Sequence, residues 1–244
     1  MRKLYVCFFM LLSLTGLAQD TIQDPLRNFN GFVENTLAIN ATRVNTNHTE
    51  FNTSDGVYSF KKNNYLPTIE ARVNFGWLFQ KEEKDDIYSL KTGLNFYNQR
   101  ANLNDPDGME LQLNTYYISI PIQFGVRDPL PFNTVKNNFF RAFEYSIGGY
   151  ISSPISQKLD HPDNLDASGE RTWFNYLRFG FIGEIAFSSL TEKGKGHRFG
   201  LRSTTDFSSI TKIRDTNNEL YPYYINFGVF YNISNYYDKR EKTP

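Results

Sequence analysis

From Thr115 to Arg127 the chain reads TYYISIPIQFGVR, and every second residue gives Tyr116, Ile118, Ile120, Ile122, Phe124 and Val126 on one side. The other side holds Thr115, Tyr117, Ser119, Pro121, Gln123 and Gly125. Side chains alternate across a strand with a period of two, so this is a ribbon with one unbroken apolar face. A helix would scatter Ser119 and Gln123 around its cylinder, and Pro121 in its interior would cost roughly 3 kcal/mol. Length is the stronger constraint. Strands of soluble sandwiches run about 5–6 residues, whereas a tilted strand that crosses a bilayer needs roughly 9–11. Pro67 to Gln80, PTIEARVNFGWLFQ, repeats the pattern, with Ile69, Ala71, Val73, Phe75, Trp77 and Phe79 opposite Thr68, Glu70, Arg72 and Asn74. The apolar face is therefore predicted to meet lipid and the polar face a lumen.

Eight such ribbons follow one another: Phe29–Val44, Pro67–Gln80, Ile87–Gln99, Thr115–Arg127, Phe139–Ser152, Thr172–Ser188, Arg198–Ser208 and Leu220–Ile233. An even count returns the chain to the side it started from, and lipid offers no partner for an open sheet edge. The predicted fold is all-β, an eight-stranded antiparallel up-and-down transmembrane β-barrel over residues 29–233. About eight strands leave an interior only wide enough for side chains. Connections after ribbons one, three, five and seven are mostly longer than those after two, four and six, the Asp128–Asn138 link excepted. Asn45–Asn64 and Ser153–Glu170 are the largest loops, and Val57–Phe60 extends a hairpin within the first. Ala101–Glu110 reads as a further turn-forming loop. Binding residues sit disproportionately on such segments. Pro121 has no N–H for the ladder, which predicts a bulge or a broken ladder beside it.

Arg2 and Lys3, the apolar run Leu4–Leu17 and the small residues up to Ala18 predict a cleaved secretory signal over residues 1–18. Residues 19–28 then form a periplasmic lead and 234–244 a C-terminal periplasmic tail. Cys7 is the only cysteine and leaves with the signal, which also takes two of the 26 basic residues and leaves 24 against 26 acidic. A near-neutral chain without a basic stripe excludes nucleic acid as a partner. The mean hydropathy of −0.50 is compatible with membrane insertion, because a barrel strand gives only alternate residues to lipid.

On the polar faces lie Glu34, Glu70, Arg72, Lys91, Glu144, Arg178, Glu184, Arg198, Arg202 and Asp206. Charges of both signs in a narrow lumen predict a plugging salt-bridge network, a proton or ion path being the functional alternative. No catalytic residue is assigned: nucleophile, base and orienting carboxylate must lie within hydrogen-bond reach, and no ribbon pairs a His with a Ser near its rim. His48, His161 and His197 fall in two loops and at a turn, without the spacing of a metal site, so neither metal nor cofactor is expected. Asp105-Pro-Asp-Gly108 and the acids between Asp160 and Asp166 lack a full calcium-loop spacing and read as solvated loop acids.

Tyr116–Phe124 (YYISIPIQF), Phe143–Ser152 (FEYSIGGYIS) and Leu177–Phe187 (LRFGFIGEIAF) resemble the PorT-like outer-membrane β-barrels of Bacteroidetes, with Ile122 where that family usually has Leu. The resemblance implies an eight-stranded barrel in the cell outer membrane, mostly without assigned activity. Some relatives serve a secretion and gliding apparatus. The last ribbon is similar to a barrel-insertion signal, polar-x-Gly-x-x-aromatic-x-hydrophobic, on Asn226, Gly228, Tyr231 and Ile233. Ile233 replaces the usual Phe, and residues 234–244 follow where such chains normally stop. The partners expected are outer-membrane lipid, the barrel-insertion machinery and another envelope protein. A non-enzymatic structural or partner-binding barrel, an accessory subunit of a secretion or envelope assembly, is the leading expectation. Its alternatives are a soluble periplasmic barrel around a small apolar ligand, with the faces reversed, and a narrow pore.

Overall fold

The computed structural model describes residues 29–45, 50–53, 56–61, 65–80, 86–129, 142–160, 169–170, 177–190, 194–209 and 223–238. The predicted signal, the lead, residues 239–244 of the tail, His48 and His161 lie outside the described residues. Eight long strands carry the fold: β1 (Phe29–Asn45), β4 (Tyr65–Gln80), β5 (Ile87–Asn104), β6 (Glu110–Pro129), β7 (Ala142–Asp160), β9 (Arg178–Leu190), β10 (Lys195–Ser209) and β11 (Tyr223–Asp238). Three short strands accompany them, β2 (Glu50–Thr53), β3 (Gly56–Phe60) and β8 (Gly169–Glu170). All long strands pair antiparallel with their neighbours in sequence, and β1 also pairs with β11, which closes the sheet.

Stepping across the ladders from Val33 passes Phe75, Thr92, Ile122, Gly149, Phe181, Thr205 and Ile225 and returns to β1 at Arg43, ten residues further on. With eight strands, that stagger tilts them by about 40° and gives a backbone cylinder of roughly 8 Å radius. A lumen of that size is filled by side chains.

The alternation orients every strand as predicted. Leu37 is 65% exposed, Ile69 67% and Ile147 68%, while the polar residues between them point inward, down to 0% for Arg178. The reversed, soluble barrel is therefore excluded. About ten residues of each tilted strand contribute to this apolar wall, a height of roughly 25 Å. Aromatic side chains ring its lower part, among them Trp77, Phe79, Phe187, Phe199 and Tyr231. "Lower" here denotes the rim at which both ends of the barrel chain lie.

Among the described residues, the sheet continues above the wall on the side of β5, β6 and β7. β5 and β6 run past the predicted ribbon ends to a tight turn over 105–109, and β7 runs to Asp160. Most of the predicted loop Ala101–Glu110 and the first part of Ser153–Glu170 are thus strand. The β2–β3 hairpin adds to β5 through Ser59↔Asn104 and Phe60↔Leu103, and β8 adds to β7. In the turn, Asp105 Oδ1 accepts hydrogen bonds from the N–H groups of Asp107 at 3.0 Å and Met109 at 2.7 Å, and Gly108 takes a φ of +84°. The half-buried Asp105 carboxylate thus caps its own turn.

Pro121 breaks the ladder on one side. β5 and β6 pair at Thr92↔Ile122 and again at Asn95↔Ser119, with nothing between, and the register is kept. The Thr92 hydroxyl donates instead to the Pro121 carbonyl at 2.8 Å. Of the two expected forms, a bulge or a broken ladder, it is the broken ladder that Pro121 produces, and the bulge of β7 is a separate feature in which Ile155 is the extra residue between the pairs Tyr116↔Ser156 and Tyr117↔Pro154. At the other end β11 runs to Asp238, five residues beyond Ile233, because Asn235–Asp238 continue the pairing with β1.

Candidate functional site

The lumen is packed in layers, and the strand stagger sets which side chains share a level. At the lower mouth Phe29, Ile87 and Leu190 form an apolar cluster with Leu78 and Tyr236. Above it lies a connected set of ion pairs. Arg127 Nη1 meets Glu144 Oε1 at 2.5 Å, and Glu144 Oε2 meets Arg198 Nε at 2.6 Å. Arg198 reaches Glu34 at 2.9 Å, and Lys91 bridges Glu34 at 3.6 Å and Glu184 at 2.7 Å. Glu184 Oε1 binds Arg72 at 2.6 Å, while Glu70 pairs with Arg72 at 3.5 Å and with Arg202. Phe230 stands among these charges, with the Arg72 and Arg198 guanidinium carbons 6.0 and 5.7 Å from its ring centroid. An aromatic face is a favourable neighbour for a desolvated cation.

Higher in the lumen Arg178 and Asp206 form their own ion pair. The Arg178 guanidinium lies over the rings of Tyr117 at 4.6 Å and Tyr224 at 4.2 Å and donates to Gln99 Oε1 at 2.5 Å. Asp206 also accepts from the Tyr150 hydroxyl, and its Oδ2 accepts from the Tyr224 backbone N–H at 3.0 Å. Tyr150 fits because residue 180 is glycine: a Cβ there would lie 2.3 Å from its ring. At the upper mouth Tyr58, Phe60, Ala101, Leu103, Leu111, Leu113 and Leu159 close the lumen as a second apolar cluster. Two lumenal cavities of about 20 and 10 Å³ flank the charged layer, room for about one water each.

All ten charges assigned to the lumen from the sequence are there, and Arg127 joins them as an eleventh. Five carboxylates thus face six cations among the described lumenal residues. Arg127 was legible, since it continues the inward parity of Gln123 and Gly125. The predicted single network is a network with a separate pair above it. Both apolar caps were missed. Their residues lie past the ends of the predicted ribbons, where the apolar parity switches from the outer to the inner face: Leu94 and Phe96 point out, Ala101 and Leu103 in. His197 is on β10 rather than at a turn, faces outward, and its Nδ1 lies 2.7 Å from the Tyr231 hydroxyl. Of the insertion-signal residues, Tyr231 and Ile233 are on the outer wall. Asn226 points inward, donates to Thr204 Oγ1 at 2.8 Å and accepts from Thr42 Oγ1 at 2.5 Å. Gly228 lies against Asn40 on β1. Among the described residues no group of His, Cys, Asp and Glu is arranged to hold a metal ion.

A closed barrel with an even number of tilted strands, a polar, filled interior and an apolar wall about 25 Å high is an outer-membrane β-barrel, because an aqueous surround would leave that wall exposed to water. No protein-family model matches the sequence, and no curated protein matches it. Among solved structures, the outer membrane protein OprG from Pseudomonas aeruginosa is 8% identical with a TM-score of 0.44, over 85% of this chain and 96% of that one. Neisserial surface protein A is 9% identical with a TM-score of 0.38, over 83% and 96%. Ail, the attachment invasion locus protein of Yersinia pestis, is 10% identical with a TM-score of 0.34, over 83% and 99%. The fold rests on the closed pairing and not on similarities this distant.

Proposed function

We propose that the protein is a non-enzymatic, non-conducting outer-membrane barrel that serves an envelope or secretion assembly as a structural or partner-binding subunit, with the sheet extension above the wall as its docking face. The filled lumen carries this reading: among the described residues, layers of apolar and ion-paired side chains fill it and leave no aqueous path for a nutrient, so the useful surface is the extension that rises clear of the lipid-facing wall. The resemblance of Tyr116–Phe124 and its two companion segments to the PorT-like family supports an accessory role. The similarity of Asn226–Ile233 to an insertion signal supports delivery by the barrel-insertion machinery. Planar-bilayer recording tests the premise. Wild-type protein is expected to give no stable large-conductance channels, and such channels would make the protein a pore. A photo-crosslinker at Met109, on the tip of the β5–β6 turn, is expected to yield an adduct with another envelope protein in living cells. The same group at Trp77, on the apolar wall, is expected to yield none.

A further inference from the structure

At the upper edge of the apolar wall the seam between β4 and β5 is open. Their ladder runs from Gln80↔Ile87 to Glu70↔Tyr97 and stops there, although β4 continues to Tyr65 and β5 to Asn104. Extending the register places Ile69 opposite Asn98 and Pro67 opposite Arg100. Pro67 has no N–H to donate. The Ile69 N–H is bonded at 2.9 Å by the Asn98 side-chain oxygen in place of the β5 backbone. The next bond across is from Lys61 N–H to the Asn102 carbonyl at 2.9 Å.

Arg100 lies in this gap. Its side chain points outward and is half-buried, its Nε is shielded from solvent, and it makes no hydrogen bond, ion pair or ring contact with any described residue. On the far side of β4, Arg43 lies over the Tyr65 ring, its guanidinium carbon 5.9 Å from the centroid. The two lysines described on this rim are ion-paired, Lys61 with Glu110 at 2.6 Å and Lys158 with Asp160 at 3.0 Å. Just below, Ile69 and Phe96 are large apolar side chains exposed to lipid.

We propose that this notch binds the phosphate of an anionic membrane lipid, with Arg100 as the principal ligand and Arg43 as the second cation. A half-shielded guanidinium without a counter-ion is costly, and its planar fork matches two phosphate oxygens. The level fits as well. β5 switches its apolar parity between Phe96 and Ala101, which places Arg100 where hydrocarbon gives way to headgroups, and lipid phosphate is the anion concentrated there. The acyl chains of the same lipid run down over Phe96 and Ile69.

The test is native mass spectrometry of the purified barrel with phosphatidylglycerol, and with phosphatidylcholine as the lipid lacking net charge. Wild type is expected to retain phosphatidylglycerol preferentially, and Arg100→Gln and Arg43→Gln each to weaken that binding about fivefold. Lys158→Gln removes a charge from the same rim and is expected to leave it unchanged. Unheated gel mobility confirms that each variant is folded. Equal retention by Arg100→Gln, or an equal loss in Lys158→Gln, overturns the proposal. Inorganic phosphate that displaces the lipid at equal concentration overturns the lipid as the occupant.

Discussion

Glu184→Gln strikes the most connected carboxylate of the lumen while leaving its shape almost unchanged. Arg72 loses a partner at 2.6 Å and Lys91 one at 2.7 Å, so six lumenal cations then face four carboxylates. Each stranded cation keeps a more distant partner, Arg72 with Glu70 at 3.5 Å and Lys91 with Glu34 at 3.6 Å. Breaking a buried pair from one side typically costs about 3–5 kcal/mol. The remaining partners put the expected loss at the lower end, about 3 kcal/mol. Urea unfolding of the barrel refolded into lipid vesicles, followed by tryptophan fluorescence, measures it. Adding Lys91→Met removes the cation that Glu184 leaves behind and is expected to recover about 2 kcal/mol of that loss as a coupling energy. A loss below about 1 kcal/mol for Glu184→Gln, or a double variant whose cost is the sum of the single ones, would refute a network that acts as one electrostatic unit.

Two further perturbations probe the wall and the packing behind it. Ile120→Lys, in the middle of the lipid-facing side of β6, is expected to cost about 2–4 kcal/mol, whereas Phe179→Arg, the second residue of β9, lies near the interface and is expected to cost about 0–1 kcal/mol. Equal costs in the same urea assay would contradict the position of the wall. Gly180→Ala drives a Cβ into the Tyr150 ring and breaks its bond to Asp206, an expected loss of about 1–3 kcal/mol. Gly183→Ala, with open space around its Cβ, is the neutral control, and a cost there as large as at Gly180 would remove the packing explanation.

The period-two alternation of Thr115–Arg127 and its counterparts was enough to specify long strands, their even number, their closure and the side of each ribbon that faces lipid. Those properties are one-dimensional, because residue parity decides the face and lipid tolerates no unpaired edge. The same parity names the lumenal charges, since a charge on an inward position of a membrane strand has nowhere else to go. It does not say which charges meet. The ten-residue stagger brings Arg198 of β10 to Glu34 of β1 and Lys91 of β5 to Glu184 of β9, and it sets Arg178 and Asp206 apart from the rest.

The upper rim was beyond the sequence for a different reason. Reading a ribbon as lipid-facing assumes that its outer face stays apolar, and β5 and β6 keep their strand geometry while exchanging the polarity of their faces, as Phe96 gives way to Ala101 and Tyr116 to Leu113. Once the surround changes from lipid to water, the same closed sheet must turn its apolar side inward to find a core. Only the assembled barrel shows where that change falls. The open seam at Pro67 and Arg100 is likewise a property of two strands in register: a proline costs a ladder only where the neighbouring strand would have taken its hydrogen bond.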